Sequence, residues 1–274
     1  MNSGAKIQEL QNSEKNKRLL AAQRQTYSDA KRIDLANACI CLLVPLAITF
    51  VQMLVSVNFE TLFLVWLVTV IAGICLPIRS EVLIDEAAKI QQRFDSSVFG
   101  IKFENASRDN SKIASKANRY FNLHNGDSDG FGLDNWYSAD IESMRAGDAI
   151  ARCQHQNTEW TKHLLRRSIG VEVCAALLVA AILWTSINLS GVDPLNLFFL
   201  FSIAEWMIQR LAGGWQSLQK VRELSNALSS YELTSRDNIV RTQDKIFEYR
   251  KAPYLVPDWL YSLFKGSDEA STES

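Results

Sequence analysis

The sequence predicts an all-α, polytopic membrane protein with two transmembrane hairpins (four spans) and a mainly helical cytoplasmic module. The 274 residues include 29 Lys and Arg, yet the stretches 35–78 and 169–209 contain none. Each stretch is long enough for two helices of about 20 apolar residues, the length that crosses a hydrocarbon core of about 30 Å. The net charge of −1 and the mean hydropathy of −0.05 average these stretches with strongly polar ones. Only the local pattern therefore indicates the class.

The charge pattern divides the chain into five segments. In chain order they are a cytoplasmic N-terminal helix (1–34), hairpin 1 (35–78), a cytoplasmic insert (79–168), hairpin 2 (169–211) and a cytoplasmic C-terminal helical segment with its tail (212–274).

Hairpin 1 consists of two uncharged stretches joined by a very short turn. Leu35–Val57 supplies 23 uncharged residues and Thr61–Ile78 supplies 18, with only Asn58–Glu60 between them. The alternative is a buried core hairpin of a soluble protein. The near-spanning length of the stretches, repeated in a second hairpin, favours the membrane.

Hairpin 2 repeats this layout. Ile169–Leu189 forms the third predicted span, Ser190–Asp193 the turn, and Pro194–Leu211 the fourth span. Pro194 is suited to the first turn of a helix, where its missing N–H leaves no hydrogen bond unmade.

The placement of Lys and Arg predicts the orientation. Neither short turn contains a basic residue, whereas Arg32, Arg79, Arg167 and Arg210 flank the opposite ends of the four spans. Because basic residues concentrate on the cytoplasmic side, we expect both termini and the insert to be cytoplasmic. The predicted location is the inner (plasma) membrane, which the chain crosses several times.

The cytoplasmic segments are predicted to be mostly helical. Ile7–Ile33 lacks Pro and Gly and is predicted to run as a helix into the first span. The insert is predicted to begin as a helix at Ser80–Phe94 and to continue into an extended patch, Val98–Phe103. A further helix is predicted from Trp215 to about Arg250.

The C-terminal helix carries a narrow apolar stripe. Val221, Leu224, Leu228 and Tyr231 recur at the spacing of one helix face. Two interpretations fit this stripe equally: packing inside the monomer, or a seam between copies of a homo-oligomer.

No motif in the chain points to catalysis, a metal or a cofactor. Asp127 and Asp129 lie in a Gly-rich loop of the kind that binds calcium, but the terminal Glu of that pattern is missing. Cys153 and His155 lack a second pair at zinc-ligand spacing. Ser138 has no nucleophile setting around it. We therefore expect no enzyme and no cofactor, and the absence of net basic charge argues against DNA or RNA as a partner.

Three charges within hairpin 2 are candidate functional residues. Glu172 and Arg210 are about equally far from the turn centre, so antiparallel spans place them at similar depth and a salt bridge is predicted. Glu205 finds no partner by this count. It is either a protonated, hydrogen-bonded glutamic acid or a carboxylate that faces a pore or a subunit interface.

Several strings in the sequence resemble a known bacterial family, the SMODS-associating four-transmembrane effectors. The strings are Trp136-Tyr137-Ser138, Arg152-Cys153-Gln154 with Asn157, Trp160 and Leu165-Arg166, and the C-terminal motif with Pro253, Pro257, Asp258, Trp259, Leu260 and Tyr261. Together with two hairpins around an insert of about 90 residues, this resemblance covers the chain from the N-terminal helix to Tyr261.

The resemblance implies a pore-forming effector of a bacterial conflict system that is silent until a cyclic oligonucleotide from a neighbouring synthetase arrives. The alternative is a membrane-anchored sensor or scaffold that recruits a cytosolic partner. A transporter is less favoured, because neither apolar stretch has paired Gly/Pro breaks. A conducting state requires a homo-oligomer, since four spans enclose too little space.

Two sets of residues are candidates for contact with a ligand or partner. Guanidinium groups pair with phosphates and aromatic rings stack on bases, so a candidate cytoplasmic surface comprises Trp136, Tyr137, Arg152, Trp160, Arg166 and Arg167. The alternative is juxtamembrane positive charge with an aromatic belt. The motif Pro253 to Tyr261 either packs on the central cytoplasmic insert or enters the membrane interface, and packing is favoured.

Overall fold

The computed structural model describes residues 1–55, 57–124, 132–190, 194–230, 235–252 and 254–260. Every regular element in these ranges is helical, as the sequence predicts. The helices are α1 (Gly4–Gln11), α2 (Glu14–Ala38), a π-helical turn (Cys39–Leu43), α3 (Val44–Leu54), α4 (Phe59–Phe99), α5 (Asn110–Leu123), a 3-10 turn (Ala139–Ile141), α6 (Ala146–Ser190), α7 (Pro194–Ser230) and α8 (Arg236–Arg250).

Two compact units share these helices. The first unit comprises residues 1–30, 81–163 and 219–252, and the second comprises 31–80, 164–218 and 253–274. Segments far apart in the sequence thus join in each unit.

The core of the first unit is built around aromatic side chains. Phe94 and Phe99 of α4 are fully buried, and their ring centroids lie 6.2 and 5.5 Å from that of Tyr137. Gly4 of α1 lies against the 3-10 turn, where a Cβ atom would fall 1.6 Å from the carbonyl oxygen of Ile141. Glycine is therefore required for this close approach.

Three of the predicted cytoplasmic elements have different bounds. The predicted helix Ile7–Ile33 is broken between α1 and α2, where the Ser13 hydroxyl donates to the Leu10 carbonyl at 2.7 Å and ends the first helix. In the patch predicted to be extended, Val98 and Phe99 still belong to α4, which ends at Phe99 and is followed by Gly100 with a φ of 64°.

The third difference concerns the predicted helix 215–250. The structure ends α7 at Ser230 and begins α8 at Arg236, where the Ser235 hydroxyl accepts from the backbone N–H of Asn238 at 3.3 Å. Val221, Leu224 and Leu228 are buried in the first unit. This burial favours packing inside the monomer over the oligomer seam; Tyr231 lies outside the described residues.

In the second unit, α2 continues into α3 through the π-helical turn. This turn precedes Pro45, which lacks a backbone donor and crowds the preceding turn of a helix, and a wider turn accommodates it. Cys41 of the π turn lies beside Gly73 of α4: a Cβ atom added to Gly73 would be 3.5 Å from the sulfur of Cys41. A small residue thus allows the two helices to approach closely.

Many large apolar side chains of the second unit are exposed. On α4 they include Phe63, Leu64, Leu67, Val68, Ile71, Ile74 and Ile78, and on α6 Leu177, Leu178 and Trp184. Among the described residues, one helix, Phe59–Phe99, is long and apolar enough to cross a membrane by length and composition.

Candidate functional site: a charged cluster in the second unit

Arg210 of α7 is the centre of a cluster of charged groups. Its Nε donates to Oε1 of Glu172 on α6 at 2.8 Å, and its Nη1 donates to Oδ2 of Asp34 on α2 at 2.8 Å. The side chains of Arg210, Glu172 and Asp34 are only 15%, 19% and 25% exposed. One planar guanidinium therefore joins three helices through charge-assisted hydrogen bonds.

The same guanidinium holds the C-terminal segment, residues 254–260. Its Nη2 donates to the carbonyl oxygen of Leu255 at 3.1 Å, and its carbon atom Cζ lies 5.2 Å from the ring centroid of Tyr254. Trp206, one turn earlier on α7, has its ring centroid 5.8 Å from the same carbon. Hydrogen bonds and cation–π contacts thus engage Arg210 on several sides.

Further contacts fix the C-terminal segment on the second unit. The hydroxyl groups of Tyr254 and Ser168 are 2.9 Å apart. A Cβ atom on Gly214 would lie 2.8 Å from the Tyr254 ring, so glycine is needed where the segment crosses α7. Lys31 Nζ pairs with Asp258 Oδ1 at 2.5 Å.

The C-terminal motif packs on the second unit. Tyr254, Leu255, Val256 and Leu260 are buried, and their segment contacts α2, α6 and α7, including Ser168 at the end of the predicted insert. Trp259 points outward with 62% of its surface exposed. Pro257 is half-buried and Asp258 is exposed; Pro253 and Tyr261 lie outside the described residues.

The structure pairs two of the three candidate intramembrane charges and places the third, Glu205, apart from them. Glu172 and Arg210 are brought together, and Asp34 joins them. Glu205 is exposed on α7 and accepts a hydrogen bond from Gln209 Nε2 at 3.0 Å. The salt bridges of the described residues do not include Glu205.

The candidate cytoplasmic surface is distributed over both units. Trp136, Tyr137, Arg152 and Trp160 belong to the first unit, whereas Arg166 and Arg167 belong to the second. Arg152 is exposed and pairs with Asp140 at 2.9 Å, and Trp160 is half-buried on α6.

Two aromatic members of that set have structural partners. The Trp136 ring lies 5.5 Å from the guanidinium carbon of Arg24 and meets the Phe94 ring edge-on. Tyr137 is 2% exposed and donates from its hydroxyl to Asp95 at 2.7 Å. Burial and then the charge of Asp95 raise the pKa of Tyr137 well above its usual range, so this phenol stays protonated. Tyr137 therefore belongs to the core.

A buried ion pair that the sequence analysis missed lies in the first unit. Arg250 of α8 donates to Asp95 of α4 at 2.6 Å, and Gln243 donates to the same oxygen at 2.7 Å. The side chains of Arg250 and Asp95 are 4% and 0% exposed. Burial disfavours the charged guanidinium, but Asp95 more than offsets this and raises the pKa of Arg250. No periodic or local sequence pattern marks these two residues as partners.

The remaining candidates are residues that the sequence suggested for metal or nucleophile chemistry. In the described ranges, no group of three or more His, Cys, Asp or Glu side chains is placed to hold a metal ion. Cys153 is fully buried, and burial followed by the charge of Asp95 raises the pKa of its thiol. The Ser138 backbone N–H donates to Gln156 at 3.1 Å. Asp127 and Asp129 lie outside the described residues.

An all-helical fold, an exposed apolar helix of spanning length and a shielded cluster of charges define a membrane-associated helical protein. The chain belongs to the SMODS-associating 4TM effector domain family, whose family model matches residues 5–274. It is also similar to a protein of Bacillus cereus (strain VD146) described as a probable CBASS effector molecule. The two are 25% identical over 289 residues, which cover 95% of this chain and 94% of the relative. No solved structure matches the chain.

Proposed function

We propose that this protein is a pore-forming effector of a bacterial anti-phage system, and that a cyclic oligonucleotide made by a partner synthetase triggers it. In this proposal residues 35–57, 61–78, 169–189 and 194–211 cross the inner membrane, with both termini and the insert in the cytoplasm. The protein acts on the membrane and catalyses no reaction.

The observation that carries this proposal is the contrast between the two units. The second unit exposes side chains such as Leu64, Val68, Ile71 and Leu177, whereas the first unit buries its large apolar side chains as a water-soluble domain does. A continuous apolar surface of this kind is stable in hydrocarbon and not in water. A membrane unit joined to a folded polar unit is the construction expected of a ligand-gated membrane effector.

The family and the relative support the trigger and the biological role. The family description contains the terms SMODS-associating and 4TM effector, and the Bacillus cereus relative is described as a probable CBASS effector molecule. Carried over to this chain, these descriptions connect it with synthetases of cyclic oligonucleotides and with defence against phage.

A conducting state must contain several copies of the chain. The four proposed spans of one copy can enclose only a narrow space, and the side chains of Arg210, Glu172 and Asp34 are 15–25% exposed. One copy therefore leaves no room for a wide aqueous path. Because Val221, Leu224 and Leu228 are buried in the monomer, the surface between copies lies elsewhere.

Leakage from living cells tests the proposal. The chain is expressed in a bacterial host together with the cyclic-oligonucleotide synthetase of the same locus, or with a catalytically inactive form of that synthetase as control. We expect loss of membrane potential and uptake of a membrane-impermeant dye only with the active synthetase. Growth arrest without any change in potential or dye uptake would favour the scaffold and refute the pore.

A further inference from the structure

Helix α7 has two faces of different character between residues 203 and 218. One face is buried and includes Ile203, Gly214, Ser217 and Leu218. The opposite face is exposed, and its members are Ala204, Glu205, Ile208, Gln209, Ala212, Trp215 and Gln216. These residues recur at intervals of three and four, so they form one continuous stripe along the helix.

The exposed stripe contains a polar pair within the proposed fourth span. Gln209 Nε2 donates to Glu205 Oε1 at 3.0 Å across one helical turn. Glu205 precedes Arg210 by five residues, which places it about 7.5 Å further from the cytoplasmic end of the span than the Arg210 cluster. The carboxylate therefore lies deeper in the proposed span than the cluster of Arg210, Glu172 and Asp34.

The exposed face of α4 provides a comparison within the same molecule. Apart from Cys75, its exposed side chains from Phe63 to Ile78 are aromatic or aliphatic, as contact with lipid tails requires. Glu172, the carboxylate of the third proposed span, is shielded and bonded to Arg210. The α7 stripe is different because it directs a carboxylate and an amide away from the monomer.

Lipid tails are a poor covering for this stripe. Ionisable side chains within a membrane are costly unless they meet polar protein groups or water. Gln209 satisfies only one of the carboxylate oxygens of Glu205, and none of the described residues forms an ion pair with it. The stripe therefore requires a partner that brings polar groups or water to residues 205 and 209.

We propose that this partner is a second copy of the same chain. Copies pack through the α7 stripe, and Glu205 of each copy faces the water-filled path that they share; this step rests on the proposed pore function. Ala204 and Ala212 lie beside the polar pair, and small residues let two helices approach closely. A ring of carboxylates from several copies favours cations over anions.

Disulfide crosslinking in native membranes tests the contact between copies. The full-length chain is used with its two exposed cysteines removed by Cys75→Ala and Cys174→Ala. Into this background we introduce Ala212→Cys, with Gln209→Cys as a second variant and Ile71→Cys, on the exposed apolar face of α4, as control. Oxidation with copper phenanthroline should link Ala212→Cys into dimers at a yield several times that of Ile71→Cys.

The proposal would be overturned if the α4 control formed dimers at the same yield as the α7 variants. It would also be overturned if neither α7 variant formed dimers, with the active or with the inactive synthetase. Leakage without α7 crosslinks refutes this seam and leaves the pore function standing. Crosslinks without leakage refute the pore and leave the seam.

The role of Glu205 in the path is tested by ion selectivity. Glu205→Gln retains shape and hydrogen bonding but removes the charge. Vesicles from cells with the active synthetase should lose their preference for potassium over chloride in this variant, at unchanged protein level. An unaltered preference would show that Glu205 does not face the path.

Discussion

Arg210 has two carboxylates and a carbonyl oxygen around one positive charge. The two acids repel one another, and both depend on the guanidinium between them. We therefore predict that Arg210→Gln destabilises the protein by about 3–5 kcal/mol, the range for breaking a buried ion pair from one side. The measurement is the amount of full-length protein in the membrane fraction, and it should fall several-fold. The matched control is Arg166→Gln on the exposed side of α6, which should leave this amount unchanged.

Compensating substitutions separate charge from shape at this cluster. Glu172→Gln together with Arg210→Gln should restore only part of the protein level, because Asp34 is still unpaired. Adding Asp34→Asn removes the last uncompensated charge and should restore more. Equal levels in the double and triple variants would show that Asp34 is not coupled to Arg210.

The Asp95–Arg250 pair makes a similar prediction for the first unit. Asp95→Asn leaves a fully buried guanidinium without its counter-ion, so the protein should lose about 3–5 kcal/mol of unfolding free energy. Thermal unfolding of the full-length protein in detergent measures this loss. Asp85→Asn, on the same helix, is the control because Asp85 is 35% exposed and its pair with Lys89 is worth less than about 1 kcal/mol. Similar melting temperatures for the two variants would contradict the buried pair.

Only part of these residue contacts could be predicted from the sequence. Counting from the turn placed Glu172 beside Arg210, because two antiparallel helices rise equally per residue. Asp34 and Leu255 belong to distant segments, and no local count relates them to Arg210. Tyr137 was predicted at a ligand surface on its chemistry alone. Its burial follows from packing against Phe94 and Phe99, which composition does not indicate.

At the scale of elements, Gly214 allows the C-terminal segment to pack closely on α7, whereas the adjacent Gly213 makes no contact of this kind. A Cβ atom on Gly214 would meet Tyr254 at 2.8 Å and Ile169 at 3.2 Å, whereas one on Gly213 meets nothing within 4 Å. We predict that Gly214→Ala destabilises the protein by about 1–3 kcal/mol through overpacking. Gly213→Ala should stabilise the helix by up to about 1 kcal/mol.

The two glycine variants are compared by thermal unfolding and by protease cleavage after Lys251. Gly214→Ala should lower the melting temperature and speed this cleavage, because the adjoining segment loosens from α7. Gly213→Ala should do neither. Identical behaviour of the two variants would contradict the packing of Tyr254 on Gly214.

The long helices were easier to predict than their ends. Apolar stretches of spanning length indicated the hairpin helices, since no other feature of the sequence accounts for their lack of charge. The break after Gln11 and the start of α8 are marked by hydrogen bonds of single side chains, those of Ser13 and Ser235. Ser is common in helices as well as at their ends, so its position alone did not identify a break.

For the whole molecule, the mean hydropathy averages two units with different surfaces. The second unit exposes apolar helices and keeps Arg210 and Glu172 shielded, whereas the first unit buries its large apolar side chains and, apart from pairs such as Asp95–Arg250, has its charged side chains outside. This separation explains why a mean hydropathy of −0.05 accompanies a chain with a span-length apolar helix.

Orientation in the membrane is the last prediction. All Lys and Arg flank the same ends of the four proposed spans, and the turns at 58–60 and 190–193 contain none. Because translocating basic residues is unfavourable, reporters fused at Ser3, Asn125 and Ser274 should all report the cytoplasm. The last two positions lie outside the described residues and serve only as fusion points. An alkaline phosphatase inserted between Gly191 and Val192 should be active, which controls for the reporter. Periplasmic activity at any of the first three positions would mean that a proposed span does not cross.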